Sequence, residues 1–270
     1  MSLTKRVDQA REAFEKRDVA ASAAAHAPGR IVESALERHG GVGSQYLGDV
    51  VYGGLDGIVT TFAVVSGVAG ADLGAHIVLI LGLANLLADG FSMATGAYLS
   101  VKSHAEYYQR EWQREAWETR NFPQGEREEL VEVYRSQGYP EADARQMVEI
   151  QARDEGRWVR AMMVEELGLI PDERRPLFSG LATFGAFVAA GALPLLVYLA
   201  GMAVPIDPKT AFPISLALSA AALFGLGAAK VFVTRRSPLR SGFEMLLVGG
   251  LAAAVAYAVG ALLRGLGVGG

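Results

Sequence analysis

The sequence predicts an all-α, polytopic membrane protein in which about five transmembrane helices accompany a soluble helical insert. Two observations support this fold class. The apolar residues (51%) and the charged residues (20%) are segregated along the chain, and the apolar blocks contain runs long enough to cross a bilayer. A single globular core does not explain such separation. The blocks divide the chain into an arm at 1–45, spans at 46–101, an insert at 102–176, spans at 177–264 and a tail at 265–270.

Composition excludes several kinds of function. The formal charge of −4 is mild, and no basic stripe interleaved with aromatic residues is present, so we expect no nucleic-acid partner. Cysteine is absent, which excludes disulfides, thiolate metal sites and cysteine nucleophiles. Any metal site must therefore use oxygen, imidazole or thioether ligands. The charged N-terminus lacks the apolar core of a signal peptide, so we expect membrane insertion to begin at the first internal span.

Five apolar stretches can span a membrane. A hydrocarbon core of about 30 Å requires roughly 20 apolar residues in a helix, and the candidates are 46–70, 76–101, 177–201, 211–234 and 241–264. The last three are rich in Gly and Ala, which lets helices approach closely in lipid. Pro194 is expected to kink the third span. The alternative is that these runs are buried helices of a large soluble protein, and five of them argue against it.

The loops predict one orientation. The connections between spans are short on one side of the membrane and rich in Lys and Arg on the other. Because positively charged flanks favour the cytoplasm, we expect residues 1–45, 102–176 and 234–241 to be cytosolic. The tail at 265–270 then lies outside. Within the cytosolic arm, the Ala-rich stretch at residues 20–27 is expected to be a linker.

Polar side chains occur where lipid should be. Asp49 and Asp56 are seven residues apart and share one face of the first span, while Asn85, Asp89 and Met93 share a stripe on the second. An aspartate at membrane depth costs several kcal/mol unless it faces a partner, a cavity or an ion. Two polar stripes on consecutive spans therefore predict one ion pathway.

Three of these side chains also have a simpler explanation. Asp49 lies near the predicted interface, where a solvated carboxylate costs little. Asp89 can instead cap a helix or pair with Lys230 or Arg264. Met93, taken alone, is typical of packing in an apolar core.

The insert begins with a helix that continues the second span into water. Four candidate metal ligands recur on one face of it at spacings of seven, four and three: His104, Glu111, Glu115 and Glu118. The interleaved Arg110 and Arg114 allow another interpretation, that of an exposed helix stabilised by salt bridges.

The insert ends with further candidate ligands. Met162 and Met163 precede Glu166 by four and three residues. Folded against the first helix of the insert, they would form a mixed carboxylate and thioether cluster. Carboxylates suit Mn²⁺ and Fe²⁺, and a thioether favours softer transition metals over Mg²⁺ and Ca²⁺.

The middle of the insert is typical of two amphipathic helices. The first should end at Gly138 and the second should begin after Tyr139 and Pro140. We expect their apolar positions to form a small core: Leu130, Val133, Tyr134, Met147, Val148 and Ile150. The carboxylates of Glu129, Glu132 and Glu149 are expected to be mostly solvated.

Four motifs occur together in this chain: DGIVTTFAVVSG, ADGFSMATGAYLSVKS, REWQRE and MMVEELGL. In combination they resemble the vacuolar iron transporter (VIT) family over residues 46–264. The resemblance implies a five-helix fold that acts as a homodimer, with an ion path between the two copies of the first span. It also implies a cytosolic three-helix metal-binding domain and export of Fe²⁺ from the cytosol in exchange for protons.

The resemblance also assigns roles to residues of this chain. Asp56 and Met93 become pathway ligands, and Asp49 lies near the entrance. The ligands implied for the metal-binding domain are Glu115, Glu118, Met162, Met163 and Glu166.

The chain departs from the family pattern at three positions. His104 and Tyr107 stand where carboxylates commonly begin the helix stripe, which changes the set of ligands available to the cytosolic metal sites. Asn85 stands where a membrane-embedded Glu is common. Asp89 or Asp56 is then the candidate for proton coupling.

These patterns predict a transporter without a prosthetic group and without enzymatic activity. Its substrates would be Fe²⁺, or Mn²⁺, Co²⁺ or Zn²⁺, with protons as the coupled ion. Its membrane would be the plasma membrane in a bacterium or that of a vacuole-like organelle in a eukaryote. One alternative is a membrane-bound ferritin-like iron oxidase, but none of the four histidines follows a Glu by three positions. Another is a metal sensor or scaffold, which would leave the polar stripes unexplained.

Overall fold

The computed structural model describes residues 5–29, 44–204, 206–229 and 237–267, and the regular structure in these ranges is helical. The helices are α1 Lys5–Glu15, α2 Val19–Ala25, α3 Leu47–Gly70, α4 Ala75–Asn121, α5 Pro123–Ser136, α6 Glu141–Gln151, α7 Glu155–Ala161, α8 Pro176–Gly191, α9 Leu196–Ala200, α10 Pro208–Ala229 and α11 Pro238–Gly265. The chain forms two compact units. Met1–Thr95 and Phe178–Gly270 form the membrane unit, and Gly96–Leu177 forms the insert unit.

Five helical stretches are long and apolar enough to cross a membrane: α3, the apolar part of α4, α8 with α9, α10, and α11. They coincide with the five predicted spans, so the all-α polytopic fold class is confirmed. The fourth span was predicted to reach residue 234. The described part of α10 ends at Ala229, and residues 230–236 lie outside the described residues.

The third span is interrupted at the predicted proline. The helix α8 ends at Gly191, a 3₁₀ turn covers Leu193–Leu195, and α9 begins at Leu196. Proline lacks the backbone N–H that a helix needs and clashes with the preceding turn. The Ser215 hydroxyl of α10 donates a 2.6 Å hydrogen bond to the Pro194 carbonyl. The break is therefore satisfied within the membrane unit.

The helix α3 packs against neighbours on two sides at backbone distance. A Cβ atom built on Gly57 would lie 2.3 Å from the Phe187 carbonyl oxygen of α8. A Cβ on Gly260 of α11 would lie 2.1 Å from the Gly67 carbonyl oxygen of α3. Only glycine permits such approaches, and small residues drive helix association in lipid because they allow it.

The N-terminal arm contains helices where an Ala-rich linker was expected. The expectation of a linker around residues 20–27 was wrong, because α2 covers Val19–Ala25. Alanine has the highest helix propensity of all residues. The Asp18 side chain also caps the helix by accepting a 2.9 Å hydrogen bond from the Ala21 backbone N–H.

The insert unit contains the C-terminal part of α4, then α5, α6 and α7. The helix α5 ends just before Gly138, whose φ of +97° is the left-handed conformation that glycine adopts without strain. The two amphipathic helices predicted for this segment are confirmed. Their core consists of Leu130, Val131, Tyr134, Ala144, Val148, Trp158, Ala161 and Met162. Ile150 was wrongly assigned to this core. Its side chain is exposed because α6 turns Ala144 and Val148 inward.

Candidate metal centre and membrane pathway

Three glutamates of the insert unit form a carboxylate cluster. Glu115 and Glu118 on α4 and Glu126 on α5 each place one carboxylate oxygen within 4.8 Å of the other two. Glu115 and Glu126 are buried, with 1% and 5% of their surface exposed, and Glu118 is half-buried. We refer to these three residues as the carboxylate cluster.

The fold explains why these side chains meet. Glu115 and Glu118 are three residues apart, so they lie on one face of α4. Glu126 lies in the first turn of α5, four residues before Leu130 and eight before Tyr134. Both of those residues are buried, so Glu126 occupies the apolar face of its helix. Packing of α5 onto the core therefore also buries the Glu126 carboxylate.

Burial and mutual repulsion raise the pKa values of two of these carboxyl groups, those of Glu115 and Glu126. Desolvation raises the pKa of Glu115 to about 7. The charge of Arg114 opposes this shift, and the charges of Glu166 and Glu118 add to it. Desolvation, then the charges of Glu115 and Glu129, raises the pKa of Glu126 to about 7. At neutral pH each group can hold a proton or release it to a cation.

The cluster contains buried oxygens without hydrogen-bond donors. Within the described part of the chain, Glu126 Oε2 has no hydrogen-bond partner. Glu115 Oε1 also lacks a hydrogen bond of good geometry, but it lies 2.5 Å from Nη2 of Arg114 and forms an ion pair with it. A buried acceptor left without a partner is costly. A bound cation or a proton would satisfy Glu126.

The methionines and Glu166 lie at the end of the insert unit in an unusual turn. Residues Met162–Glu166 form a π-helical turn, closed by the bond from the Leu167 N–H to the Met162 carbonyl. Such turns are rare and often occur at functional sites. Met162 and Met163 are fully buried, and Met162 belongs to the apolar core.

Glu166 is part of the same electrostatic environment. Its side chain is exposed in the insert unit, yet partial desolvation of the carboxyl group and the charge of Glu129 raise its pKa. Its negative charge in turn raises the pKa values of Glu115 and Glu126. Glu129, which was expected to be mostly solvated, is exposed but contributes to the same field.

Like Glu166, two predicted ligands on α4 lie outside the carboxylate cluster. His104 is exposed, and the pKa of nearby Asp172 is lowered chiefly by a hydrogen bond from Arg174. Glu111 accepts a 2.9 Å hydrogen bond from Arg114. The salt-bridged helix considered as an alternative is therefore partly present, since Arg114 pairs with α4 carboxylates.

Sequence reasoning missed Glu126. The signal was available, because Glu126 precedes the predicted core positions Leu130 and Tyr134 by one and two helical turns. A charged residue on the apolar stripe of an amphipathic helix breaks the hydrophobic pattern. Such a break is a reason to search for a buried ionisable site.

In the membrane unit, Asp49 has a hydrogen-bond donor beside it, whereas Asp56 and Asp89 affect each other through their charges. Asp49 accepts a 2.7 Å hydrogen bond from the Ser179 hydroxyl of α8. Asp56 on α3 and Asp89 on α4 are half-buried and close enough for their charges to interact. Two spans that are consecutive in sequence therefore each contribute one carboxylate to a shared electrostatic environment.

Of the two basic partners considered for Asp89, Arg264 pairs with another residue. Arg264 forms a 3.1 Å ion pair with Asp72 at the end of α3. Lys230 lies outside the described residues. Within the described ranges, no Lys or Arg forms an ion pair with Asp56 or Asp89.

The other two residues of the second-span stripe differ in environment. Asn85 Nδ2 is buried without a hydrogen-bond partner among the described residues. Met93 is half-buried and packs against the apolar core of the membrane unit, which includes Leu86 and Phe187. Packing thus accounts for part of the Met93 side chain, as the simpler explanation anticipated.

Comparisons with known proteins agree with these features. A sequence profile described as the VIT family matches residues 47–261. The chain is 41% identical over 265 residues to a vacuolar iron transporter of Toxoplasma gondii, covering 95% of this chain and 88% of that protein. It is 32% identical to a vacuolar iron transporter of Plasmodium falciparum, covering 97% and 98% of the two chains. It is 33% identical to vacuolar iron transporter 1 of Arabidopsis thaliana, covering 87% and 92%.

The profile covers all five membrane-spanning stretches and the insert unit between them. The relatives cover most of the chain at more than 30% identity. The resemblance noted in the four sequence motifs is therefore confirmed, and this chain is an integral membrane protein that belongs to the VIT family.

Proposed function

We propose that the protein is a homodimeric transporter that exports divalent metal ions from the cytosol in exchange for protons. Fe²⁺ is the principal substrate, and Mn²⁺, Co²⁺ and Zn²⁺ are further candidates. The name of the relatives supports iron and a vacuole-like organelle membrane; in a bacterium the corresponding membrane is the plasma membrane. The arm and the insert unit face the cytosol, as the basic flanks of the spans predict.

The observation that carries the proposal is the pair of carboxylates of Asp56 and Asp89 inside the membrane unit. Two negative charges in a low-dielectric environment are unstable unless something positive accompanies them. Since the described residues supply no ion-paired Lys or Arg, a transported cation or a proton is the compensating partner. A site that holds either one can couple the two flows.

The insert unit supplies the capture step. Its carboxylate cluster offers the oxygen ligands that suit Fe²⁺ and Mn²⁺, and the buried Met162 and Met163 offer thioethers from the same unit. Metal collected there passes to Asp49 and then to Asp56. Protonation of the pathway carboxylates on the other side of the membrane releases it.

Transport, rather than iron oxidation, is the activity that the cluster favours. Ferritin-like di-iron sites combine carboxylates with histidine. The carboxylate cluster of Glu115, Glu118 and Glu126 contains none. Rapid oxidation of Fe²⁺ by the purified protein in air, faster than in the buffer alone, would favour the oxidase instead.

The decisive experiment is metal uptake into liposomes with an imposed pH gradient. Asp56→Asn should abolish pH-driven Fe²⁺ and Mn²⁺ transport, because the amide cannot hold a cation or exchange a proton. Asp72→Asn is the matched control. Asp72 directly follows the same helix in the left-handed conformation that asparagine tolerates, and its exposed ion pair with Arg264 contributes little stability. Transport that persists in Asp56→Asn would refute the assignment.

The dimer can be tested independently because the chain has no native cysteine. Tyr52 lies between Asp49 and Asp56 on one face of α3 and is 66% exposed. With the proposed ion path between the two copies of α3, Tyr52→Cys should cross-link in the membrane under mild oxidation. Leu251→Cys, which is 60% exposed on α11, should remain monomeric on a denaturing gel. The opposite pattern would place the dimer interface on α11.

A further inference from the structure

One arginine side chain forms ion pairs with several carboxylates of the insert unit. The Arg114 guanidinium contacts three glutamates of its own helix: Nε lies 2.9 Å from Glu111, Nη2 lies 2.5 Å from Glu115, and Nη1 bonds to Glu118. Two of these glutamates, Glu115 and Glu118, belong to the carboxylate cluster. Arg114 therefore engages one oxygen of each of these two carboxylates.

A guanidinium and a divalent metal ion cannot both bind strongly to these two carboxylates at the same time. Arginine is charged at every physiological pH, and its planar fork matches carboxylates in a bidentate manner. A metal ion bound to the same two glutamates would lie a few ångströms from a fixed positive charge and would be repelled. Binding therefore requires the arginine to leave.

The surroundings allow it to leave. The side chain of Arg114 is 42% exposed, whereas Glu115 is buried, so the guanidinium can move into water without opening the core. Arg114 also leaves the cluster incompletely compensated. Glu126 is 95% buried, and its Oε2 has no hydrogen-bond partner among the described residues. The cluster thus retains a buried acceptor for a second cation.

We propose that Arg114 is a built-in competitor of the metal ion: it occupies Glu115 and Glu118 in the metal-free protein and is displaced when a divalent cation binds them together with Glu126. This inference rests on the proposed capture role of the cluster. As a consequence, the site binds the metal ion more weakly and releases it faster than it would without the arginine. The arginine returns as the metal leaves, which suits a site that passes its cargo on.

The test measures Mn²⁺ binding to the full-length protein in detergent. All three tryptophans, Trp112, Trp117 and Trp158, lie in the insert unit, so quenching of their fluorescence by Mn²⁺ reports on this unit alone. Arg114→Gln should lower the Kd by about tenfold or more and slow metal release, because a charge-assisted competitor is lost. Arg110→Gln is the matched control. It removes the same charge one turn earlier on α4, and it should change the Kd by no more than about threefold.

The direction of the change separates competition from a structural role. A merely structural arginine predicts weaker binding in Arg114→Gln, and unchanged or weaker binding with intact helical circular dichroism overturns the proposal. If Arg114→Gln does not fold, the Kd of Arg114→Lys for Mn²⁺ distinguishes competition from a structural role. Lysine keeps the charge but loses the fork, so binding tighter than wild type supports competition and equal or weaker binding refutes it.

Failure of the site itself gives a different result. If wild type and Arg114→Gln both fail to bind Mn²⁺, the capture role and the competitor are rejected together. If wild type binds and Glu126→Gln does not, the cluster is the site. An unchanged Kd in Arg114→Gln then overturns only the role of the arginine.

Discussion

Glu115 on α4 and Glu126 on α5 bring carboxylate oxygens within 4.8 Å of each other across a helix boundary. Two full negative charges at that separation repel by about 3 kcal/mol at an effective dielectric constant of ~20. The fold therefore maintains an arrangement that is unfavourable unless a proton or a cation is present. The metal affinity and the stability of the insert unit should therefore respond to substitution of these glutamates, to pH and to added metal ions.

Glu126→Gln should weaken Mn²⁺ and Fe²⁺ binding by about tenfold or more, since a buried charged ligand is replaced by an isosteric amide. The fold should persist because the volume is unchanged. Glu132→Gln on the same helix is the control, because Glu132 is exposed and ion-paired with Arg135. Tryptophan quenching in the full-length protein measures the Kd for Mn²⁺ of both variants. Equal Kd values for the two variants would exclude Glu126 as a ligand.

Metal binding should weaken as the pH falls below about 7. The pKa values of Glu115 and Glu126 are raised to about 7 by desolvation, so protons compete with the metal in that range. An ordinary exposed carboxylate site would lose metal only near pH 4 to 5. Titrations with Mn²⁺ at pH 5.5, 6.5 and 7.5 distinguish a site with raised pKa values from an ordinary exposed carboxylate site. A constant Kd from pH 5.5 to 7.5 would contradict the raised values.

The same shifts predict how the metal-free insert unit responds to pH. The folded pKa of each glutamate, about 7, exceeds its ordinary value of 4.5, so the folded state binds more protons than the unfolded chain. The resulting stabilisation is fully present below about pH 4.5 and is lost as the pH rises through 7. The tryptophan-detected melting temperature should therefore fall between pH 5.5 and pH 8. Glu126→Gln should reduce this fall, and added Mn²⁺ should reverse it.

Met163→Leu should leave the fold intact but change metal preference. The residue is fully buried, and exchange of Met for Leu conserves volume at a cost below about 1.5 kcal/mol. If the thioether contacts the metal, its loss should reduce the affinity for Co²⁺ and Fe²⁺ more than that for Mg²⁺. The ratio of the Co²⁺ and Mg²⁺ dissociation constants is the measurement. An unchanged ratio would assign Met163 to packing alone.

Gly57→Ala should destabilise the membrane unit by about 1–3 kcal/mol, the usual cost of overpacking. The added methyl group would meet the Phe187 carbonyl oxygen at 2.3 Å and push α3 away from α8. Gly185→Ala on α8 has nothing within 4 Å and serves as the control. Thermal denaturation in detergent, followed by circular dichroism, compares them. Identical melting temperatures would contradict the close packing of α3 and α8.

Much of this architecture could be predicted because its signals are local. The five spans follow from apolar runs whose length must match the bilayer, and the break in the third follows from Pro194. The division between α5 and α6 follows from Gly138 and Pro140. None of these features depends on which other segment packs nearby. The Ala-rich α2 was not predicted because Ala occurs in linkers as well as in helices, although the Asp18 cap marks the start of a helix.

The candidate site was only partly predictable because its chemistry depends on long-range packing. The sequence by itself determined that carboxylates line one face of α4, that acidic residues occur inside two spans, and that no thiolate can take part. Only the tertiary structure decided that Glu126 joins Glu115 and that the charges of Asp56 and Asp89 interact. Helical periodicity orients a side chain on its own helix, whereas the distance between charges on different helices is set by how those helices pack.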